Sequence, residues 1–282
     1  MERSSYFIKN KAIFGSFPTQ KAVQELEEKG VRYFVNLTQN NEKKITPYET
    51  KYNKINFPIV DRRVPNNWKE YACFIIKISD IINNLENNEL VYIHCKGGHG
   101  RSGIVVASLL CYMFKLTPEK ALQQTRESHS NRIDMREKWR KLGSPQTFFQ
   151  KKFIYKFFNN LNFFRTCSSG VTFGFSTCSS HSVNIDGFGI FPTAEDAIQA
   201  YKNDKNKNYI IKNEEKNLNN YDNLFYKVIK LKFEQHPEIL ENLLNTGLRP
   251  ITYYKKNNFY TNNHKITNIL MSIREEKYRE SI

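Results

Sequence analysis

Five residues separate Cys95 from Arg101, and three of them, Gly97, Gly98 and Gly100, are glycines. The full run is His94-Cys95-Lys96-Gly97-Gly98-His99-Gly100-Arg101-Ser102-Gly103. A thiol, a guanidinium and a glycine-rich loop at this spacing suit chemistry on a phosphate. The amides of a tight loop that opens a helix make a nest for a dianion. Glycines let the loop take the necessary dihedrals and approach the ligand closely. The same positive field favours a thiolate, so a lowered pKa is expected at Cys95. Arg101 returning to the loop would hold two phosphoryl oxygens through its planar fork. Ser102 would donate a hydrogen bond to the thiolate and later to the departing sulfur. A buried cysteine in a glycine turn beside a surface arginine is the plainer alternative. It leaves the order of strand, loop and helix unexplained.

The elements that must carry this loop are legible on both sides. Residues 90–94 are a short apolar run of the buried parallel-strand type. Residues 102–114 form a strongly apolar helix. Upstream, 12–14, 33–37 and 52–57 read as strands. Thr19 can cap a helix over 20–29, with Gly30 at its C′ position. Residues 61–67 are a charged, proline-containing loop. An amphipathic helix over 68–84 follows, with apolar residues at 71, 74, 75, 78, 81 and 82. Thr117-Pro118-Glu119 is a helix start, and helices are expected over 118–127 and 144–159. This alternation predicts an α/β fold with a central, mostly parallel sheet flanked by helices.

In that order and context, the motif resembles the signature of the protein-tyrosine phosphatase superfamily. The resemblance covers residues 1–160. It implies two-step hydrolysis of a phosphomonoester through a phosphocysteine at Cys95, without metal or cofactor. Members place a general-acid aspartate on an upstream loop. Phe57-Pro58-Ile59-Val60-Asp61-Arg62-Arg63-Val64-Pro65 resembles that loop in compact dual-specificity phosphatases. Asp61 would protonate the leaving oxygen and then act as base toward water; pairing with Arg62 or Arg63 at the surface is the alternative. Ser144-Pro145-Gln146-Thr147 and Gln150 resemble a segment that packs beside the site. Gln150 would orient water or else lie on a helix surface. His94 supports the loop. Lys96 and His99 make it basic, as in members that act on phosphoinositides, unless both point to solvent. No long insert precedes the motif to deepen a tyrosine pocket, so a shallow cleft is expected. The implied partner is a phosphorylated protein, on tyrosine or on serine and threonine. A phosphoinositide or an RNA 5′-phosphate are the other options.

The stretch 162–183 changes to Ser, Cys, Thr, Gly and Phe, and divides a first domain, 1–162, from a second, 166–282. Thr193 can cap a helix through 202. A polar loop over 203–220 follows, then helices over 221–233, 237–245 and 266–280. On the first of these helices Glu195, Gln199 and Lys202 make one polar stripe. Alone, the stripe reads as solvated surface. Residues 184–274 resemble the NADAR (YbiA-like) family, linked to N-glycosidic bond cleavage. The resemblance runs through Pro192-Thr193, Glu195, Gln199 and Lys202, then Lys232-Phe233-Glu234-Gln235-His236-Pro237-Glu238, then Leu243 to Gly247 and Asn268 to Arg274. It implies a mostly helical α+β domain with an ADP-ribose or nucleotide ligand. Glu195 would stabilise an oxocarbenium ion or activate water, and Lys202 would trap a sugar aldehyde. This chain departs from the pattern at Asp196, at 257–261, at His264 and Thr267, and at Ser176-Thr177-Cys178. A binding module without turnover is therefore the alternative, as is an N-glycosidase served by an accessory phosphatase.

The net charge of +15 is unevenly placed. Residues 1–165 hold 28 of the 43 Lys and Arg but only 15 of the 28 Asp and Glu. The first domain therefore attracts anions, whether acidic phosphopeptides, phosphoinositides or nucleic acid. Five cysteines without metal or disulfide spacing point to a reducing compartment, cytoplasmic or nuclear. No apolar run is long enough for a membrane span.

Overall fold

All five side chains of β5 are buried, which requires neighbours on both edges and cover on both faces. The computed structural model, which describes residues 2–163, 169–203, 220–255, 259–261 and 265–282, supplies both. In chain order the first unit contains β1 (Ser4–Ile8), β2 (Ala12–Gly15), α1 (Gln20–Glu28), β3 (Val31–Asn36), β4 (Asn53–Asn56), α2 (Trp68–Asn83), β5 (Leu90–His94), α3 (Arg101–Phe114), α4 (Pro118–Ser130), α5 (Glu137–Leu142) and α6 (Phe148–Phe158). The sheet order is β1-β2-β5-β3-β4. Only the β1–β2 pair is antiparallel. The result is an α/β fold with a mostly parallel five-stranded sheet.

Period-two alternation along β5 divides the core. Leu90 and Tyr92 join Ile13, Phe34 and the α1 residues Val23 and Leu26 on one face. Val91 and Ile93 point the other way, toward the helix α3. That helix is buried from Arg101 to Cys111. A helix apolar all round must be enclosed, and α3 lies among β2, β5, α2, α4 and α6. Register aligns Gly15 and Asn36 with His94. The segments after β2, β3, β4 and β5 therefore leave from one edge of the sheet, the carboxyl edge where α/β sheets bind ligands.

Most caps lie where the sequence places them. Thr19 and Thr117 accept a backbone amide at the start of α1 and α4, and Asn67, not marked as a cap from the sequence, does the same at α2. Gly30 takes a φ of 98° just past α1. The helix expected over 144–159 starts later, at Phe148, because Thr147 and Gln150 form a reciprocal capping box. Two elements carry no readable signal. β1 is a short edge strand defined by its pairing with β2. α5 is six residues long and buries none of them.

The chain divides after Asn159, and residues 160–281 form the second unit. It begins ahead of 166 because β6 (Leu161–Phe163) pairs in parallel with β9 (Ile251–Lys255). β7 (Val183–Ile185) and β8 (Gly189–Phe191) form a hairpin. Then come α7 (Ala194–Asn203), α8 (Asn220–Gln235), α9 (Pro237–Leu244), β9, β10 (Phe259–Thr261) and α10 (Lys265–Arg279). As expected of an α+β domain that is mostly helical, it is a mixed α/β unit in which, among the described residues, four helices accompany two small sheets, β10-β9-β6 and β7-β8. These strands are three to five residues long and are set by pairing rather than by a local pattern. The core draws on Phe163, Phe175, Val228, Phe233, Leu243 and Leu270. Lys232 is fully buried among them. Its ammonium donates to the carbonyls of Gly174 and Ser176 at 2.5 and 2.6 Å and to the Ser179 hydroxyl at 2.6 Å. It thereby pins the 174–179 loop to α8. Burial pushes its pKa down to about 7, against the pull of nearby Cys178. Most of the polar loop expected over 203–220, together with Cys167, residues 257–258 and His264, lies outside the described residues.

Candidate active site

The loop after β5 is held by its carbonyls. Lys96 O accepts from the Phe17 amide at 3.1 Å. Gly98 O accepts from Arg132 Nη1 at 2.8 Å, and His99 O from Ser144 Oγ at 2.6 Å. Among the described residues no hydrogen bond is donated by the amides of Lys96, Gly97, Gly98, His99 or Gly100. Gly100 caps α3 without a side-chain bond, so that helix also opens on unpaired amides. One glycine is sterically required and a second closely approached. Gly98 has a φ of 72° and lies against the backbone of Gly15. A Cβ on Gly100 would stand 2.8 Å from Gln150 Nε2.

Cys95 is 3% exposed at the loop's start, with its sulfur 3.6 Å from Ser102 Oγ. Arg101 is 1% exposed. Its Nη1 donates to Glu42 and, at 3.0 Å, to Ile59 O. Its Nη2 donates to Glu42 Oε2 at 3.0 Å and pairs with Asp61 Oδ1 at 3.1 Å. Nε is buried and has no partner. Burial works against the charge on Arg101, but Glu42, Cys95 and Asp61 together raise its pKa. Burial likewise works to raise Glu42, yet the Arg101 hydrogen bond and the Gln39 amide hold its carboxyl below the usual range. Asp61 is 60% exposed and contacts Arg101 rather than an arginine beside it in sequence. Its loop is anchored by the Ile59 amide on Leu37 O, at 3.1 Å.

Other residues differ from their expected settings. Gln150 is fully buried, not on a helix surface. It completes the α6 cap and donates to Arg63 O at 3.3 Å, which ties the aspartate loop to the phosphate loop's far side. Lys96 is exposed, but its ammonium turns to Lys43 O at 2.7 Å. His99 stacks on Trp139 at 4.8 Å and its Nδ1 meets His129 Nε2 at 2.8 Å. Burial pushes His99 down to about 4, so at neutral pH it adds no positive charge to the loop. His94 is fully buried against Tyr48, with Nε2 2.7 Å from the phenol oxygen, and burial lowers it to about 3.

Two residues escaped sequence reasoning. Glu42 lies in a loop after β3, 59 positions from Arg101, with nothing in its local pattern to set it apart. Arg132 follows α4 and is 3% exposed. It donates to Gly98 O, to Phe14 O at 3.1 Å and to Ser5 Oγ at 3.4 Å. Burial lowers it to about 10, while the charges of Tyr92 and Cys95 pull it upward.

In the second unit, Glu195 accepts from Thr177 Oγ1 and from Gln199 Nε2, both at 2.8 Å. It borders a cavity of about 190 Å³ walled by Phe163, Phe225 and Tyr253, with Thr177 and Cys178. Gln199 and Lys202 are not among the lining residues. Lys202 is exposed. The stripe therefore does not converge on one pocket: Glu195 turns inward and Lys202 outward.

A mostly parallel α/β sheet that carries a glycine-rich loop at its carboxyl edge, whose amides donate no hydrogen bond among the described residues, suits a phosphatase. Residues 2–154 match the family described as Swiss Army Knife protein, DSP-PTPase phosphatase domain. The chain belongs to that family and is an enzyme of the phosphatase class. It is 38% identical over 246 residues to "Putative tyrosine phosphatase 197R" of Invertebrate iridescent virus 6, covering 86% of this chain and 81% of the relative. That span extends beyond the first unit into the second. It is also 38% identical over 160 residues to "Putative tyrosine phosphatase 067L" of Invertebrate iridescent virus 3, covering 56% of this chain and 66% of the relative. Among solved structures, Tk-PTP in its active form aligns with a TM-score of 0.42 and 22% identity, over 53% of this chain and 92% of that one. Kinase associated phosphatase aligns with a TM-score of 0.40 and 21% identity, over 52% and 84%. Among the described residues no helix is long and apolar enough to cross a membrane.

Proposed function

We propose that the first unit hydrolyses phosphomonoesters on proteins, at phosphotyrosine and at phosphoserine or phosphothreonine, through a phosphocysteine at Cys95. The observation that carries this is the state of Arg101. One edge of its guanidinium is saturated by Glu42 and backbone carbonyls, whereas Nε is buried without a partner. A buried donor left unpaired is costly, and a phosphoryl oxygen is the acceptor this position suits. Glu42 is then a positioning residue that fixes the plane of the fork. Asp61 occupies Nη2 until substrate arrives. A phosphoryl group bridging Nε and Nη2 displaces it, and the freed carboxyl turns to the leaving oxygen.

The first step breaks the P–O bond as the Cys95 sulfur attacks phosphorus. The proton on Asp61 goes to the leaving alcohol. Arg101 and Arg132 both act electrostatically on the sulfur. In the second step Asp61 takes a proton from water, the water oxygen attacks phosphorus, and Ser102 donates to the departing thiolate. Rapid mixing with p-nitrophenyl phosphate should give a burst of p-nitrophenol of about one equivalent per chain, followed by slower turnover. Turnover that vanadate leaves unchanged would refute the mechanism. A parallel screen of phosphopeptides, phosphoinositides and 5′-phosphorylated RNA names the substrate, and a preference for either of the last two would overturn the protein reading.

For the second unit we propose a site for an ADP-ribosyl or nucleotide N-glycoside at Glu195. A carboxylate on an aromatic-walled cavity supports it. Lys202, exposed and away from the cavity lining, takes no part in it. Calorimetry of the full chain with ADP-ribose should give a binding isotherm that Glu195→Ala removes. Heats no larger than dilution would end the proposal and leave the unit as a scaffold.

A further inference from the structure

The segment from Ser144 to Gln150 runs along the phosphate loop and is fastened to its surroundings at both ends. Ser144 Oγ donates to His99 O at 2.6 Å. Pro145 lies so close to Gly103 that a Cβ there would stand 3.0 Å from Pro145 Cα. At the far end Gln150 packs against Gly100 and donates to Arg63 O at 3.3 Å. The Arg63 amide in turn closes on Val60 O at 3.0 Å, across the turn that presents Asp61. The first turn of α6 therefore borders both the phosphate loop and the aspartate loop.

On this fixed mount stand two phenylalanines open to solvent. Phe148 is 71% exposed and Phe149 73%. The reciprocal cap between Thr147 and Gln150 holds the backbone beneath them. Their ring centroids lie 5.8 Å apart. The core face of α6 is already filled by Phe153, Ile154 and Phe157. Single apolar side chains on a surface are ordinary, whereas a contiguous apolar patch marks a contact. Among the described residues no other two exposed large apolar side chains are neighbours in sequence. Val60, also exposed, adds an apolar group beside Asp61.

A second copy of this chain is a poor occupant for that patch. Lys152 and Lys156 are exposed on the same helix, and Arg62 and Arg63 on the adjoining loop, so two such faces repel each other. The patch suits an apolar side chain on a neutral or acidic partner. Its place on the wall of the active site makes that partner the substrate.

We propose that Phe148 and Phe149 bind an apolar side chain of the phosphoprotein substrate, near the phosphorylated residue in sequence, and so select sites flanked by leucine, isoleucine, valine or phenylalanine. The inference rests on the protein-phosphatase reading of the first unit and names the sequence context that site prefers. An extended chain rises about 3.3 Å per residue, so the side chains in reach are those within about three residues of the phosphorylated one. The rings touch no reacting atom. They bind ground state and transition state alike, so the preference falls on KM and leaves kcat level.

The test uses the full-length chain with a set of phosphotyrosine peptides and a matching phosphothreonine set. The reference peptide of each set has serine at every flanking position. The others carry a single leucine, moved through the positions in reach. At least one leucine position should lower KM about tenfold, the effect of partly burying such a side chain. Phe148→Ser combined with Phe149→Ser should abolish that gain. It should leave turnover of the all-serine peptides and of p-nitrophenyl phosphate unchanged. Phe148→Leu combined with Phe149→Leu should keep most of the gain, because the contact is apolar rather than specific to a ring. A KM indifferent to leucine in both sets, or a gain that survives the serine double variant, would overturn the assignment alone. Sedimentation with anionic vesicles that the serine double variant loses, without any leucine gain, would overturn it in favour of a lipid surface. Turnover of p-nitrophenyl phosphate but of none of the peptides would overturn the protein reading and this inference with it. Turnover of neither would overturn the phosphatase reading itself.

Discussion

Replacing Cys95 by serine is expected to lower p-nitrophenyl phosphate turnover by on the order of 10⁵–10⁶-fold, the scale on which a covalent mechanism loses its nucleophile. Binding of inorganic phosphate should survive. Neither the loop amides nor Arg101 depends on the sulfur for position. The loop is set by Phe17, Arg132 and Ser144 on its carbonyls, and Arg101 by Glu42. Serine also preserves a polar contact with Ser102. The two readouts separate chemistry from structure. Steady-state kinetics report the nucleophile, and calorimetry with phosphate reports the cradle. If the serine variant kept more than a few per cent of activity, Cys95 would not be the nucleophile. If it lost phosphate binding as well, the cradle would depend on the sulfur itself.

Asp61→Asn should slow hydrolysis of an alkyl phosphate by about 10²–10⁴-fold, the usual contribution of a general acid. The loss on p-nitrophenyl phosphate should be far smaller, because p-nitrophenolate leaves readily without a proton. Asparagine keeps the side chain's shape but ends the charge pairing with Arg101 Nη2. Substrate then has no carboxylate to displace, so KM should stay level or fall while kcat falls. Kinetics on a series of leaving groups measure this directly as a steeper dependence on leaving-group acidity. Equal losses on alkyl and aryl substrates would assign Asp61 a structural part instead.

The second unit was the harder to read, and its strands explain why. β6 and β9 are distant in sequence, and Leu161-Asn162-Phe163 is too short to reveal a period of two. α7, by contrast, was legible from Thr193, whose hydroxyl accepts the Asp196 amide at 3.2 Å. The polar stripe on α7 was visible as well. Which of its members turns inward was not, because that depends on Thr177, which reaches Glu195 from another loop.

In the first unit, the local chemistry of residues 90–103 determined the strand, the glycine loop and the buried helix. An apolar run followed by glycines and a second apolar run has few other ways to fold. Asp61 could be picked out only because residues 57–65 resemble the Asp loop of compact dual-specificity phosphatases; its local pattern alone does not set it apart. Tertiary structure alone decided what surrounds Arg101. Glu42 and Asp61 reach it because β3 and β4 end on the same edge of the sheet as β5, and parallel pairing brings together loops that the sequence keeps far apart. Burial, too, was decided only in three dimensions. It turned His99 from a presumed cation into a neutral ring, drew Gln150 under the loop, and left Arg132 charged without a carboxylate. Local sequence specifies which groups a residue carries, but the solvent and counter-ions it loses on folding are set by chain segments that pack against it from elsewhere.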